Sequence, residues 1–135
     1  MAIIGVNFTK INIERKEAAR GKINISNNIA IKDVKERDIA PGKTIDQKGV
    51  QFIFEFASKY EPKVAEIKLE GDVMYIGTNK QVEEITKSWK KDKKVPKEIM
   101  TGVLNTALTK CNIQALILSQ SVNLPPPIPL PKVKK

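Results

Sequence analysis

Apolar residues alternate with polar ones through the first half of this chain and recur every three or four residues through the second. Alternation puts one set of side chains on one face of a strand, and the longer period puts them on one stripe of a helix. Residues 3–15 read as a first strand. Ile4, Val6 and Phe8 alternate, then the phase changes to Ile11 and Ile13, which predicts a bulge or bend. Residues 14–21 are polar and predict a turn or loop. Residues 22–34 form a second strand, with Ile23, Ile25, Ile29 and Ile31 on one face and Asn27 interrupting it. Residues 35–48 are charged and contain Pro41-Gly42, a loop signal. The third strand is centred on residues 50–56, where Phe52, Phe54 and Phe56 must share a face. Glu61-Pro62-Lys63 marks a turn. The fourth strand covers 65–76, with Ala65, Ile67, Leu69, Val73 and Tyr75 on one side and Glu66, Lys68 and Glu70 on the other. Gly71-Asp72 at its middle predicts a kink or a tight hairpin.

Thr78 followed by Gln81 is a capping signal for a helix that places Val82, Ile85 and Trp89 on one face. Residues 87–97 read as a lysine-dense connection. Pro96 then opens a long helix that ends at Val122. Its apolar stripe is Met100, Leu104, Ala107, Leu108, Cys111, Ala115, Leu118 and Val122, broadened by Ile99, Val103 and Leu116. Beyond it, Leu124, Ile128 and Leu130 punctuate five prolines. Proline fixes φ and stops a helix, so this segment is a stiff, greasy ribbon that should lie on its own domain or on a partner. Strands grouped before helices imply an α+β fold: a four-stranded antiparallel sheet, two helices packed on one face and a C-terminal proline-rich strap. We expect one domain over residues 1–123 and an extended basic tail over 124–135.

Charge and chemistry narrow the function. With 24 Lys+Arg against 15 Asp+Glu the net charge is +9, which favours polyanionic partners or simply solubilises the chain. Only Arg15, Arg20 and Arg37 are arginines, so nucleic-acid contact would be mainly to phosphate. Lys87, Lys90, Lys91, Lys93, Lys94 and Lys97 crowd around Trp89, and Lys132, Lys134 and Lys135 make the tail basic. These are the candidate phosphate-binding residues. The phase of Trp89 with Val82 and Ile85 assigns its indole to the core rather than to base stacking. No histidine is present and Cys111 is the single cysteine. That excludes histidine acid–base chemistry, cysteine-cluster metal sites and an intrachain disulfide. The glycines form no phosphate-binding loop and the carboxylates no matched acid–base pair. We therefore expect no enzyme, no cofactor and no metal. Neither a signal peptide nor a membrane span is legible, so the expected location is the cytoplasm.

Four antiparallel strands, a short helix, a long helix and the ribbon after Val122-Asn123-Leu124-Pro125 together resemble the SecB-like export chaperones. Residues 96–127 carry the resemblance most specifically. It implies a twisted sheet under a long helix, dimers or tetramers, and apolar grooves that hold unfolded or nascent polypeptide. It points to Phe52, Phe54, Phe56, Tyr75, Ile76, Leu124 and Ile128 as polypeptide-binding residues. The residues themselves point to buried core as the fate of the phenylalanine stripe; it is open to a ligand or another subunit only if its face is not the one the helices cover. Chaperones of this kind that dock on the export motor are acidic, whereas this chain is basic, which speaks against that motor as partner. The expected function is a non-enzymatic holdase. The alternative is a basic ribosome-associated protein that binds RNA phosphates on the same fold.

Overall fold

The alternating half of the chain folds into one antiparallel sheet with the strand order β1-β4-β3-β2. Its strands are β1 (Ala2–Arg15), β2 (Asn24–Arg37), β3 (Lys48–Glu61) and β4 (Ala65–Gly77); α1 (Asn79–Asp92) and α2 (Lys97–Ser121) follow. These elements come from a computed structural model that describes residues 2–16, 22–38 and 47–128. The predicted α+β class is the one observed. Each strand is longer than its apolar pattern. Residues 35–37, read as loop, still pair with Gln51, Val50 and Gly49, because a charged edge strand keeps its backbone ladder while its side chains face water.

The registers stack the apolar residues into layers across the sheet. Ile11, Leu69, Phe56 and Ile29 form one layer; Phe8, Gly71, Phe54 and Ile31 the next; Val6, Val73, Phe52 and Val34 a third. All lie on the face that the helices cover. The phase change in β1 is a register shift between Phe8 and Lys10, which returns Ile11 to the face of Phe8. A second shift lies between Ile3 and Gly5, at exposed Ile4. A third, between Ile31 and Asp33, carries β2 from odd to even inward positions and buries Val34.

Gly71 makes no kink and no hairpin. β4 pairs with β3 without a shift on either side of it. Its missing side chain has another use. A Cβ there would collide with the Asn7 carbonyl oxygen and lie 3.0 Å from Phe54 Cζ. In the same layer the rings of Phe8 and Phe54 meet edge to face at 6.3 Å, a favoured aromatic geometry.

In α1 the Thr78 hydroxyl accepts from the Gln81 N–H at 3.3 Å, and Gln81 Oε1 accepts from the Thr78 N–H at 3.0 Å. This is the reciprocal cap expected from the sequence. Val82, Ile85 and Trp89 are buried. The helix runs through Lys90 and Lys91 rather than ending before them, because lysine is a good helix former. It stops at Lys93, whose φ of 57° lets its N–H reach the Trp89 carbonyl.

α2 presents Val103, Ala107, Cys111, Ala115 and Ser119 to the core at four-residue spacing. Four of these five are small. Small residues on the helix let its backbone approach a sheet studded with phenylalanines, and α2 touches all four strands. Leu104 and Leu108, expected at the centre of the stripe, flank it half-buried.

Past α2, Asn123 turns the chain with φ 57°, and the Leu124 N–H bonds the Ser119 carbonyl at 2.8 Å. Residues 122–128 then cross the end of the sheet farthest from Ile3. Arg15 Nη1 donates to the Val122 carbonyl at 2.8 Å, Tyr60 Oη to Pro125 at 2.6 Å and Asn27 Nδ2 to Pro127 at 2.9 Å. Leu124 is buried and Ile128 half-buried. The described part of the ribbon thus lies on its own domain.

Burial sets one pH dependence. It pushes the Tyr60 phenol from its ordinary 10.0 up to about 12 and the Cys111 thiol from 9.0 up to about 12. In both groups the neutral, protonated form is the one the fold holds. Their stabilising contribution is complete below pH 9. It is lost as the pH rises through 12, because the unfolded chain releases these protons first. Urea midpoints measured from pH 7 to 12 should be flat to about 9 and then fall. A midpoint that stayed level to pH 12 would contradict this burial.

Candidate functional site

Where the first turn of α2 passes the start of β1, the core closes incompletely. A cavity of about 470 Å³ opens there, lined by Ile3, Tyr75, Gln81, Glu84, Ile85, Pro96, Glu98, Ile99 and Gly102. Each wall follows from local sequence. Ile3 pairs with Tyr75 across β1 and β4, so both side chains face the helices. Phe52 braces the Tyr75 ring edge to face, with centroids 6.2 Å apart. The α1 capping box holds Gln81 at the wall. Gly102 brings the α2 backbone to the floor: a Cβ built on it would sit 3.9 Å from Ile3 Cδ1. Pro96 caps α2 with extended backbone and sets the rim.

The interior is apolar and the rim acidic. Ile85 and Tyr75 are buried, Ile99 is half-buried, and Glu84 and Glu98 are exposed. Burial pushes the Tyr75 phenol above its ordinary range, so this wall stays neutral at physiological pH. Such a cleft accepts apolar side chains by removing their surface from water and needs no bond-making.

The structure separates the residues that the resemblance grouped. Phe52, Phe54 and Phe56 are 0% exposed. The helices cover their face, so their surface is taken up by the chain's own core; Phe52 braces Tyr75 from behind the groove, while Phe54 and Phe56 lie farther along the sheet. Tyr75 lines the groove, whereas Ile76, its neighbour on the strand, faces the other side of the sheet and is half-buried. Leu124 and Ile128 lie with the ribbon at the opposite end. The groove residues that sequence reasoning missed are Ile3, Gln81, Ile85, Pro96, Ile99 and Gly102. Only tertiary contact brings β1, α1 and α2 together there.

Lys87, Lys90, Lys91, Lys93, Lys94 and Lys97 are all exposed. Trp89 is buried, with Lys93 Nζ 5.2 Å from its ring centroid. The indole therefore offers no stacking face to a base. Lys132, Lys134 and Lys135 lie outside the described residues. The outer face of the sheet holds a second concavity, around Ser26, Asn28, Glu55, Lys59, Glu66 and Lys68. Its charges alternate and pair, as in Lys68 with Glu55 at 3.3 Å, which suits a solvated surface. Large apolar residues are exposed at Ile4 and Ile11 on β1 and at Ile113 and Ile117 on α2. Among the described residues no helix is long and apolar enough to cross a membrane.

No family profile matches the sequence, and no curated protein does. Among solved structures, one match is the Mycobacterium tuberculosis SecB-like chaperone Rv1957 in complex with a ChAD peptide from the Rv1956 HigA1 antitoxin. It covers 99% of this chain and 91% of that one, at a TM-score of 0.57 and 15% sequence identity. The likeness covers nearly the whole chain, and it shows that this protein has the SecB-like chaperone fold.

Proposed function

We propose that this protein is a non-catalytic polypeptide holder: it binds apolar segments of unfolded or nascent chains in the cytoplasm through the groove beside the first turn of α2. The observation that carries the reading is the groove itself, an open apolar cleft of about 470 Å³ whose floor is Ile3, Tyr75, Ile85 and Ile99. The likeness in fold to a chaperone solved with a peptide bound supports it. Binding by apolar area alone is weakly selective, which suits a holder of many sequences. The acidic rim, Glu84 and Glu98, adds a preference for segments in which a basic residue neighbours an apolar one. Exposed Ile113 and Ile117 on α2, with Ile4 and Ile11 on the β1 edge, favour a homo-oligomer as the working form.

Ile99→Glu tests the groove. Ile99 is half-buried in the first turn of α2, where a carboxylate suits the helix dipole and the fold should survive. Placing a charge on the groove wall should weaken the binding of a fluorescent unfolded client by about tenfold or more, equivalent to at least ~1.4 kcal/mol. Fluorescence anisotropy reads the affinity, and sedimentation alongside it checks that the oligomer is intact. Unchanged affinity in a folded variant would rule the groove out.

A second reading rests on the lysine face. Six lysines within eleven residues are all exposed, with Asp92 as the acidic residue among them. That arrangement suits RNA phosphates, as on a ribosome. Affinity for single-stranded RNA should then fall with salt at a log–log slope of about −0.7 per phosphate neutralised. Replacing Lys90, Lys91, Lys93 and Lys94 with glutamine should flatten the slope. A flat slope in the unaltered protein would dispose of this reading.

A further inference from the structure

The end of the sheet farthest from the groove donates to three carbonyls in a row, that of Val122, which caps α2, and those of Pro125 and Pro127 in the extended ribbon. Three strands each supply one donor: Arg15 from β1, Tyr60 from β3 and Asn27 from β2. They take the carbonyls of Val122, Pro125 and Pro127 in turn. All three contacts run from the sheet to the ribbon. No N–H of Pro125, Pro126 or Pro127 needs a partner, because proline has none. An ordinary peptide lying here would bring N–H groups to a surface that offers them donors, whereas a proline ribbon brings only acceptors.

The dimensions agree. From Tyr60 on β3 to Asn27 on β2 is one strand spacing, about 5 Å. The two residues from Pro125 to Pro127 span about 6 Å at the polyproline rise and only about 3 Å in a helix. Leu124 fills an apolar slot in the core cluster that also holds Tyr60, and is buried, as is Pro127. Ser58 is wholly buried two residues along β3 from Tyr60, directly opposite Asn27, and its hydroxyl has no partner among the described residues. The chain's own ribbon therefore leaves a polar group of the floor unfilled.

We infer that this end of the sheet is a receptor for a proline-rich extended segment, filled in cis by residues 122–128 and open to a proline-rich segment of a partner protein when the strap lifts. The recognition is of a ribbon without N–H groups carrying an aliphatic residue before its prolines. It is separate from the apolar groove, so either site can fail without the other. The strap holds the advantage of being tethered, which raises its effective concentration to the order of millimolar. A partner needs more contacts, or a loosened strap, to displace it.

The test uses the full chain with the strap weakened and every donor left in place. Leu124→Ser empties the apolar slot. Should that variant fold poorly, Asn123→Pro serves instead, because proline cannot adopt the positive φ at that turn. The probe is a labelled peptide with the sequence of residues 122–128, and its control has the three prolines changed to alanine. Anisotropy should show the proline peptide binding the weakened chain about tenfold or more tighter than the unaltered one. The alanine peptide should bind about fivefold or more weaker than the proline peptide, and adding Tyr60→Phe should cost the proline peptide about fivefold for the lost hydrogen bond. Equal binding to the weakened and unaltered chains, equal binding of the two peptides, or indifference to Tyr60→Phe would overturn the inference.

Discussion

The fold rests on a size match between two surfaces. The inner face of the sheet carries Phe52, Phe54, Phe56, Ile67, Leu69 and Val73, all wholly buried. Opposite them α2 offers Ala107, Cys111, Ala115 and Ser119. Large residues on the strands fill the space that small residues on the helix leave, and close packing of this kind is what makes a core specific. Gly71 extends the same logic within the sheet, where two phenylalanine rings occupy the volume above it and the β1 backbone crowds it. Two of the three register shifts keep the strands in phase with this face, one restoring the phase in β1 after Phe8 and the other burying Val34 in β2.

That interlock decides where the surface is free to do something else. α2 runs from the start of β1 to its end, with Gly102 near Ile3 and Val122 near Arg15. At its first turn Ile99 and Gly102 of α2 face Ile3 and Tyr75 of the sheet and Gln81 and Ile85 of α1 without closing the space between them, and the apolar groove remains. At its last turn the helix ends short of Tyr60 and Asn27, and the proline ribbon completes the cover. The middle of the sheet is committed to packing under α2, one end leaves the groove open and the other takes the chain's own ribbon. The exposed lysines on α1 and after it lie outside this division and leave its packing untouched.

Much of the fold was legible because it depends on local periodicity. The alternation of Phe52, Phe54 and Phe56, the Thr78–Gln81 cap, the Pro96 start of α2 and the phase change in β1 each carry their meaning within a few residues. What was not legible depends on pairing. Gly71 reads locally as a break, and only the approach of Asn7 and Phe54 shows why a side chain is forbidden there. Of the core-facing positions of α2, Val103, Ala107, Cys111 and Ala115 fell within the predicted stripe, but nothing in its apolar pattern set them apart from the half-buried leucines beside them or pointed to Ser119. Small size at every fourth residue, rather than hydrophobicity, was the usable signal. The lining of the groove is the least local feature. Tyr75 was anticipated and does line the groove, but Ile3, Ile85 and Ile99 lie far apart in sequence. The donors Arg15, Tyr60 and Asn27 gave no sign beyond the break that Asn27 makes in its strand.

The central claim is that polypeptide is held in the groove beside the first turn of α2 rather than on the phenylalanine stripe or the outer sheet. Photo-cross-linking tests it most directly. An unfolded client carrying one photoreactive aliphatic residue is bound, irradiated and digested, and the adducts are mapped. Adducts concentrated on Ile3, Tyr75, Ile99 and Gly102 are the predicted result. Adducts concentrated on Glu55, Lys59 and Lys68 of the outer face, or spread evenly over the surface, would contradict the account.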